Sequence, residues 1–167
     1  MKKIIAALLL FSASAWVQAS LVNGSVSVGQ AGLGSKTSNT SFGVSAGTGL
    51  GLLPLVGLEA GVLDLGKFDN IEYGGTTYET LEGNLAYIAA KPAIPLGPIT
   101  AYAKGGLHQY ELTGSGGFKE DEIGVMYGAG IDYFAMGPFS VGASYTVYSL
   151  EQDDIENFAI NAAFHFL

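Results

Sequence analysis

The sequence contains no cysteine and no arginine; its seven basic residues are all lysines, and its single tryptophan is Trp16. Without cysteine there are no disulfide staples, so the chain is held together by packing or by lipid. Seven lysines against fifteen acidic side chains provide no clustered cationic surface, which excludes nucleic acid as a partner. The five prolines form no tract and the 25 glycines follow no fixed period, which sets aside collagen-like and linker classes. Glycine at this density also opposes long helices, at about 1 kcal/mol per interior position relative to alanine. Beyond the amino-terminal region no apolar run approaches the ~18 residues of a transmembrane helix, although 49% of the chain is hydrophobic. The apolar residues are therefore distributed in some other pattern.

The chain begins "MKKIIAALLLFSASAWVQAS": two lysines, an apolar run too short to span a bilayer, and small residues up to Ala19. This is the layout of a secretory signal peptide over residues 1–19, cut after Ala19, with one domain expected over 20–167. Lys2 and Lys3 leave with it, so the exported chain carries five lysines against fifteen acids, a formal charge of −10.

From there the apolar residues alternate with small or polar ones. Val22, Val26 and Val28 share one parity, as do Phe42, Val44 and Ala46, then Leu58, Ala60 and Val62, then Leu81, Leu85, Tyr87 and Ala89. Ile99, Ala101, Ala103 and Leu107 follow, then Ile123 to Tyr133, Phe139 to Val147, and Phe158 to Phe166, each at every second position. A period of two marks strands with one apolar face, and there are eight of them. The connections alternate between short proline-containing turns (51–55, 91–98, 135–138) and longer polar loops (31–41, 66–79, 112–121, 150–156). The arrangement predicts eight antiparallel strands running up and down.

A soluble sandwich or lipocalin-like barrel shares this alternation, and the composition of the second face decides between them. Gly, Ala, Ser, Thr and Asn are too small and polar to make a globular core. Tyr133, Phe139, Phe164 and Phe166 fall near the short-turn end, and Phe42, Tyr145 and Phe158 near the loop end. Two aromatic belts around an aliphatic band are what a membrane interface selects. The fold class expected is all-β: an eight-stranded antiparallel up-and-down transmembrane β-barrel, closed so that every backbone group is paired.

The segments "PLGPITAYAKGGLHQYEL", "GVMYGAGIDYFAMGPFSVGASYTVYS" and "FAINAAFHFL", together with the signal peptide and the eight strands, resemble the OmpA/OmpX-like outer-membrane barrels of Gram-negative bacteria. The resemblance spans the exported chain and is closest from Pro95 to Phe166. It implies residence in the cell outer membrane as a monomer. The implied partners are outer-membrane lipid and lipopolysaccharide, periplasmic chaperones and the barrel-assembly machinery. It covers the barrel alone, so anchoring through a peptidoglycan-binding domain, as in OmpA, is not expected. Such barrels serve as adhesins, structural anchors and lipid-modifying enzymes, so fold alone does not fix activity. In this family the ending carrying Phe158, Ile160, Phe164 and Phe166 looks like the signal read by the assembly machinery, with Leu167 out of phase by one.

The expected lumen face offers Glu59, Glu82, Lys104, His108, Asp132 and His165. Lys104 reads as the one inward lysine, and Glu59, Lys104 and Asp132 stand at similar depth, so an internal ion pair or triad is expected. A polar gate is the functional reading and a structural plug the bland one; an unpaired buried charge would cost several kcal/mol. An eight-stranded lumen is about wide enough for side chains to fill it, which disfavours a diffusion pore over at most a narrow channel. No histidine stands next but one to a serine; His108, Glu111 and loop Ser115 are the only residues to weigh as a lipid A acyl hydrolase or transferase site. The loop cluster Glu151, Asp153, Asp154 and Glu156 lacks the spacing of a dedicated calcium loop and reads first as a solvated acidic rim. No cofactor, metal or catalytic residue is assigned. The function expected is non-enzymatic: envelope structure, or surface interaction and adhesion through the four loops.

Overall fold

The computed structural model describes residues 22–33, 37–48 and 56–166. The expected signal peptide, the turn at 51–55, part of the first loop and Leu167 lie outside the described residues. Eight strands follow one another as β1 (Val22–Leu33), β2 (Thr37–Gly47), β3 (Val56–Tyr73), β4 (Thr76–Leu96), β5 (Ile99–Gly114), β6 (Phe118–Met136), β7 (Phe139–Ser149) and β8 (Asp154–Phe166). Each pairs antiparallel with its neighbours, and β8 returns to β1 to close the barrel. Closure leaves no edge in the lipid-exposed wall, as a membrane demands.

The register gives the barrel's shear. From Asp64, one path around the wall runs through Phe42, Val28, Ile160, Ala143, Ile131 and Ala101 to Ile94, whereas Asp64 pairs directly with Asn84. The two ends on β4 differ by 94 − 84 = 10 residues. A shear of this size over eight strands tilts them about 40° from the barrel axis.

The outward apolar stripe of β4 runs from Ala86 to Leu96 and ends at Asn84; at ~3.3 Å per residue and that tilt it is about 25 Å tall, the height of a lipid-facing band. Neighbouring strands leave the band at the same height, at Gln30, Thr40, Asp64, Gln109, Asp121, Ser149 and Glu156. We call this polar ring the rim.

Two expected connections become strand. The stretch 66–79 is the upper part of a β3–β4 hairpin that turns at Gly74 and Gly75, whose φ values of 57° and 76° suit a turn that bulky residues resist. The stretch 112–121 shrinks to a short turn at Ser115–Gly117 between β5 and β6. Their polar composition suggests loop, but Phe68, Ile71 and Tyr73 point inward and are buried, with the change of phase between Phe68 and Ile71 taken up at Asn70 (φ 52°), and that burial holds the extended backbone. The proline-rich stretch 91–98 turns only at 97–98, with Gly97 at φ 73°. Pro92 stays within β4 because the ladder to β5 skips it, between Ala90↔Gly105 and Ala93↔Tyr102.

The inward and outward parities match those expected on seven strands and are reversed on β4. Leu81, Leu85 and Ala89 are buried inside, and the lipid stripe is Ala86, Ile88, Ala90, Ile94 and Leu96. Glu82 consequently faces outward, 3.9 Å from Lys67, rather than into the lumen. The apolar side of β4 misleads because its upper half packs into a water-shielded core: Leu65, Phe68, Ile71, Tyr73, Leu81, Tyr110, Leu112, Tyr148 and Ile155 form one cluster inside the upper barrel and its extension.

Candidate functional site

Below the apolar cluster the lumen is lined by small polar side chains that the alternation places inward, among them Ser25, Ser27, Ser45, Ser144, Asn157 and Asn161. They leave a polar cavity of about 50 Å³, room for a few waters. Into it project four charges from four strands. The Glu59 carboxylate on β3 lies 3.3 Å from Lys91 Nζ on β4 and 3.6 Å from Lys104 Nζ on β5. Lys91 also reaches Asp132 on β6 at 3.4 Å. Tyr87 donates to Glu59 at 2.9 Å, and the Lys91 ammonium sits 3.8 Å from the Tyr102 ring centroid. Two lysines thus share two carboxylates, so the buried charges balance.

The sequence predicts Lys104 as the one inward lysine; the structure adds Lys91, which joins Asp132 to the cluster. Reading 91–98 as a turn hides this, although Lys91 has the same parity as Ala89 and Tyr87 and so could have been found once β4 was phased correctly. Glu59, Lys104 and Asp132 are brought into one cluster, with Lys91 at its centre.

The two histidines stand apart. His108 is 1% exposed, with Nε2 3.1 Å from the Ser149 carbonyl oxygen and its ring against Tyr110 and Tyr148. Gly124 makes room for it, since a Cβ there would collide with the imidazole. His165 Nε2 lies 2.8 Å from Ser140 Oγ across β7 and β8, and its ring packs at a tilt against Phe134. Sequence spacing gave no hint of this pair, which forms between strands. Ser140 is 2% exposed, so its hydroxyl is not offered to a substrate.

His108, Glu111 and Ser115 are not brought together. Glu111 points outward, 2.9 Å from Lys119, and the Ser115 hydroxyl accepts from the Glu79 amide at the hairpin tip. Glu151, Asp153, Asp154 and Glu156 are all exposed, and no group of three metal-ligating side chains occurs among the described residues. Phe158, Ile160, Phe164 and Phe166 face outward in the closing strand, with Phe164 in edge contact with Phe139 and Phe166.

Above the rim, Tyr73 and Tyr110 both donate to one oxygen of Glu120, at 2.6 and 2.8 Å, and the Tyr110 hydroxyl accepts from the Glu151 amide. This clamp joins β3, β5 and β6 to the β7–β8 connection. Burial, then the neighbouring carboxylate, pushes the Tyr73 phenol well above its ordinary value, and burial pushes Tyr110 up to about 12.

A family model described as the outer membrane protein beta-barrel domain matches residues 4–166. Three solved barrels show the same fold at low identity. Neisserial surface protein A is 14% identical over 87% of this chain and 96% of that one, with a TM-score of 0.61. The amino-terminal barrel of Pseudomonas aeruginosa OprF is 17% identical, over 85% and 97%, at 0.58. Ail, the attachment invasion locus protein of Yersinia pestis, solved with the heparin analogue sucrose octasulfate, is 14% identical, over 87% and 96%, also at 0.58. No curated protein matches the sequence significantly.

Proposed function

We propose that this chain, which belongs to the outer membrane protein beta-barrel domain family, is a non-enzymatic surface-interaction protein that presents a rigid β-sheet outside the cell. Members of this family are outer-membrane proteins. The observation that carries the reading is the upper part of β3–β6. The β2–β3 ladder ends at Phe42↔Asp64, and the β6–β7 ladder begins only at Met126↔Tyr148. Beyond those points Gly66–Tyr73, Thr76–Gly83, Gln109–Gly114 and Phe118–Asp121 make a four-stranded sheet whose β3–β4 hairpin stands about 20 Å above the rim. Among the described residues its two outer strands pair with no further strand above Lys67, whose carbonyl accepts from the Asn39 side chain, and this is the geometry to which an extended peptide adds. Charged residues guard both, Lys67, Asp69 and Glu72 on one and Lys119 to Glu122 on the other, which discourages indiscriminate self-pairing. The acidic balance favours a basic partner surface. The name of Ail, an attachment protein, is in keeping with this reading.

The lumen serves as a plug in this account. The charge cluster and the apolar core above it fill the barrel, and single-channel recordings are expected to show no steady conductance. The test of the main reading is adherence of a non-adherent Gram-negative strain displaying the chain to epithelial monolayers. Adherence should rise with the intact protein and fall to the vector level when 68–81 and 111–121 are each replaced by two-residue turns, while the heat-modifiable gel shift of the barrel persists. Equal adherence of the trimmed barrel would overturn the sheet as the binding surface, and adherence of the intact protein at the vector level would leave envelope structure as its role. Unchanged lipid A acylation, by mass spectrometry with and without the protein, is expected alongside; a change would establish the enzymatic alternative.

A further inference from the structure

The two outer strands of the upper sheet, β3 and β6, are unlike. The β3 edge is irregular. Its register shifts between Asp64 and Gly66, the Lys67 carbonyl already accepts from the Asn39 side chain, and Asn70 stands at φ 52°, a left-handed backbone that interrupts an extended line of donors and acceptors. The β6 edge is regular. Its ladder to β5 runs from Gly114↔Phe118 to Ile99↔Tyr133 without a shift, while its ladder to β7 starts only at Met126↔Tyr148. Just above that point the Ser149 carbonyl turns in to His108 Nε2, 3.1 Å away. Phe118–Ile123 therefore directs alternate backbone groups to a side where no strand pairs among the described residues.

The side chains along this edge select what can pair with it. Ile123 is 71% exposed, the most open large apolar side chain among the described residues. Above it stand Glu122 and Asp121, both exposed. Lys119 is already ion-paired to Glu111 at 2.9 Å, and Glu120 is taken by two tyrosine hydroxyls. The β7–β8 connection adds exposed Glu151 and Asp153 where the β6–β7 ladder stops. The edge is thus acidic at its middle and apolar at its foot.

Building on the surface-interaction reading, we propose that Phe118–Ile123 is the docking edge, and that it takes a protein segment as an antiparallel fifth strand in which one apolar residue is followed directly by two basic ones. The apolar residue lies opposite Ile123 and the basic pair opposite Glu122 and Asp121, because the two strands run in reverse order. Main-chain bonds supply affinity and the side-chain pairs supply selection. Acidic segments meet like charge across the pair and are rejected.

The probe is the acetylated, amidated heptapeptide Thr-Val-Lys-Lys-Thr-Glu-Thr, added to the full barrel in zwitterionic micelles. With photo-leucine in place of its valine, cross-links should fall on β6 at 121–125; cross-links on β3 at 66–73 overturn the proposal. N-methylation of the peptide at its second and fourth residues, or at its third and fifth, blocks opposite edges of the added strand. By fluorescence anisotropy one isomer should bind about tenfold more tightly than the other. Equal affinities overturn the proposal, since charge alone does not distinguish the isomers, and that comparison needs no variant to fold. Asp121→Asn with Glu122→Gln should weaken binding several-fold in a barrel that keeps its heat-modifiable shift, and unchanged binding overturns the proposal as well. Adherence that needs the upper sheet, with no difference between the isomers, overturns this inference and leaves the surface-interaction reading in place. Edge-specific peptide binding with adherence at the vector level overturns that reading alone.

Discussion

Below the rim the barrel is apolar outside and polar inside; above it the same strands are apolar inside and polar outside. Ile88, Ile94 and Leu96 of β4 face lipid, at 49–62% exposure, around the ion cluster of Glu59, Lys91, Lys104 and Asp132. A few residues earlier, Leu81 and Leu85 turn inward at 0% and 4%, into a core of aliphatic and aromatic side chains whose Tyr73 and Tyr110 hydroxyls end on Glu120. The difference follows from the solvent on the outer face. Lipid removes the incentive to hide apolar groups inside and makes outward charges costly, whereas water restores both. The crossing point need not be marked by any break in the chain, and on β4 it is only a change in which parity is greasy.

The largest way to break this comparison is to empty the upper core. Phe68→Ala should cost about 3–5 kcal/mol locally, seen as lost hydrogen-exchange protection and new protease cleavage across the β3–β4 extension, with the membrane-embedded gel shift retained. An equal cost to the lower barrel would mean that the two halves are a single packing unit. Next is the lower lumen. Glu59→Gln removes the charge shared by Lys91 and Lys104 and weakens the acceptor of Tyr87, and should cost roughly 3 kcal/mol, the low end for a broken buried pair because the cavity beside it leaves room for water. Urea refolding into vesicles is the measurement, and Asp132→Asn, which leaves Lys91 its second carboxylate, should cost less.

The smallest effect is alkaline. Tyr73 and Tyr110 have folded values raised above the ~10 of a free phenol. Their neutral forms therefore stabilise the clamp on Glu120 fully below pH 10, and that contribution disappears as pH rises through about 12 for Tyr110. Tyrosinate absorbance should show the late-titrating phenols, with the extension losing exchange protection over the same range. Glu120→Gln should bring the titration of both back toward that of free tyrosine.

Much of the lower barrel was legible because lipid imposes a strict rule. Val22, Phe42, Leu58, Ile99, Ile123, Phe139 and Phe158 each open a stripe that the structure places outward, and the strand number and up-and-down order follow from the spacing of those stripes. The upper barrel obscured the rest. Leu81, Leu85 and Tyr87 are as apolar as any lipid stripe, yet they line the interior, and a phase set on them turns Glu82 inward and leaves Lys91 in a turn. Prolines 92, 95 and 98 reinforced that reading, since the gap in the ladder that tolerates Pro92 is a property of paired strands rather than of one segment. Contacts made across strands, Ser140 with His165 and Tyr73 with Glu120, leave no trace in local spacing.

The absence of cysteine makes the inversion directly measurable. Single nitroxide labels placed one at a time from Tyr78 to Leu96 of β4, in the full barrel reconstituted in bilayers, report collision with oxygen from the lipid and with a water-soluble nickel chelate. The account predicts oxygen accessibility at the even positions from 86 to 96, a switch to nickel accessibility at the even positions from 84 to 80, and restricted labels meeting neither at 81, 85 and 89. Oxygen accessibility at 81 and 85, with the even positions sheltered, would contradict it.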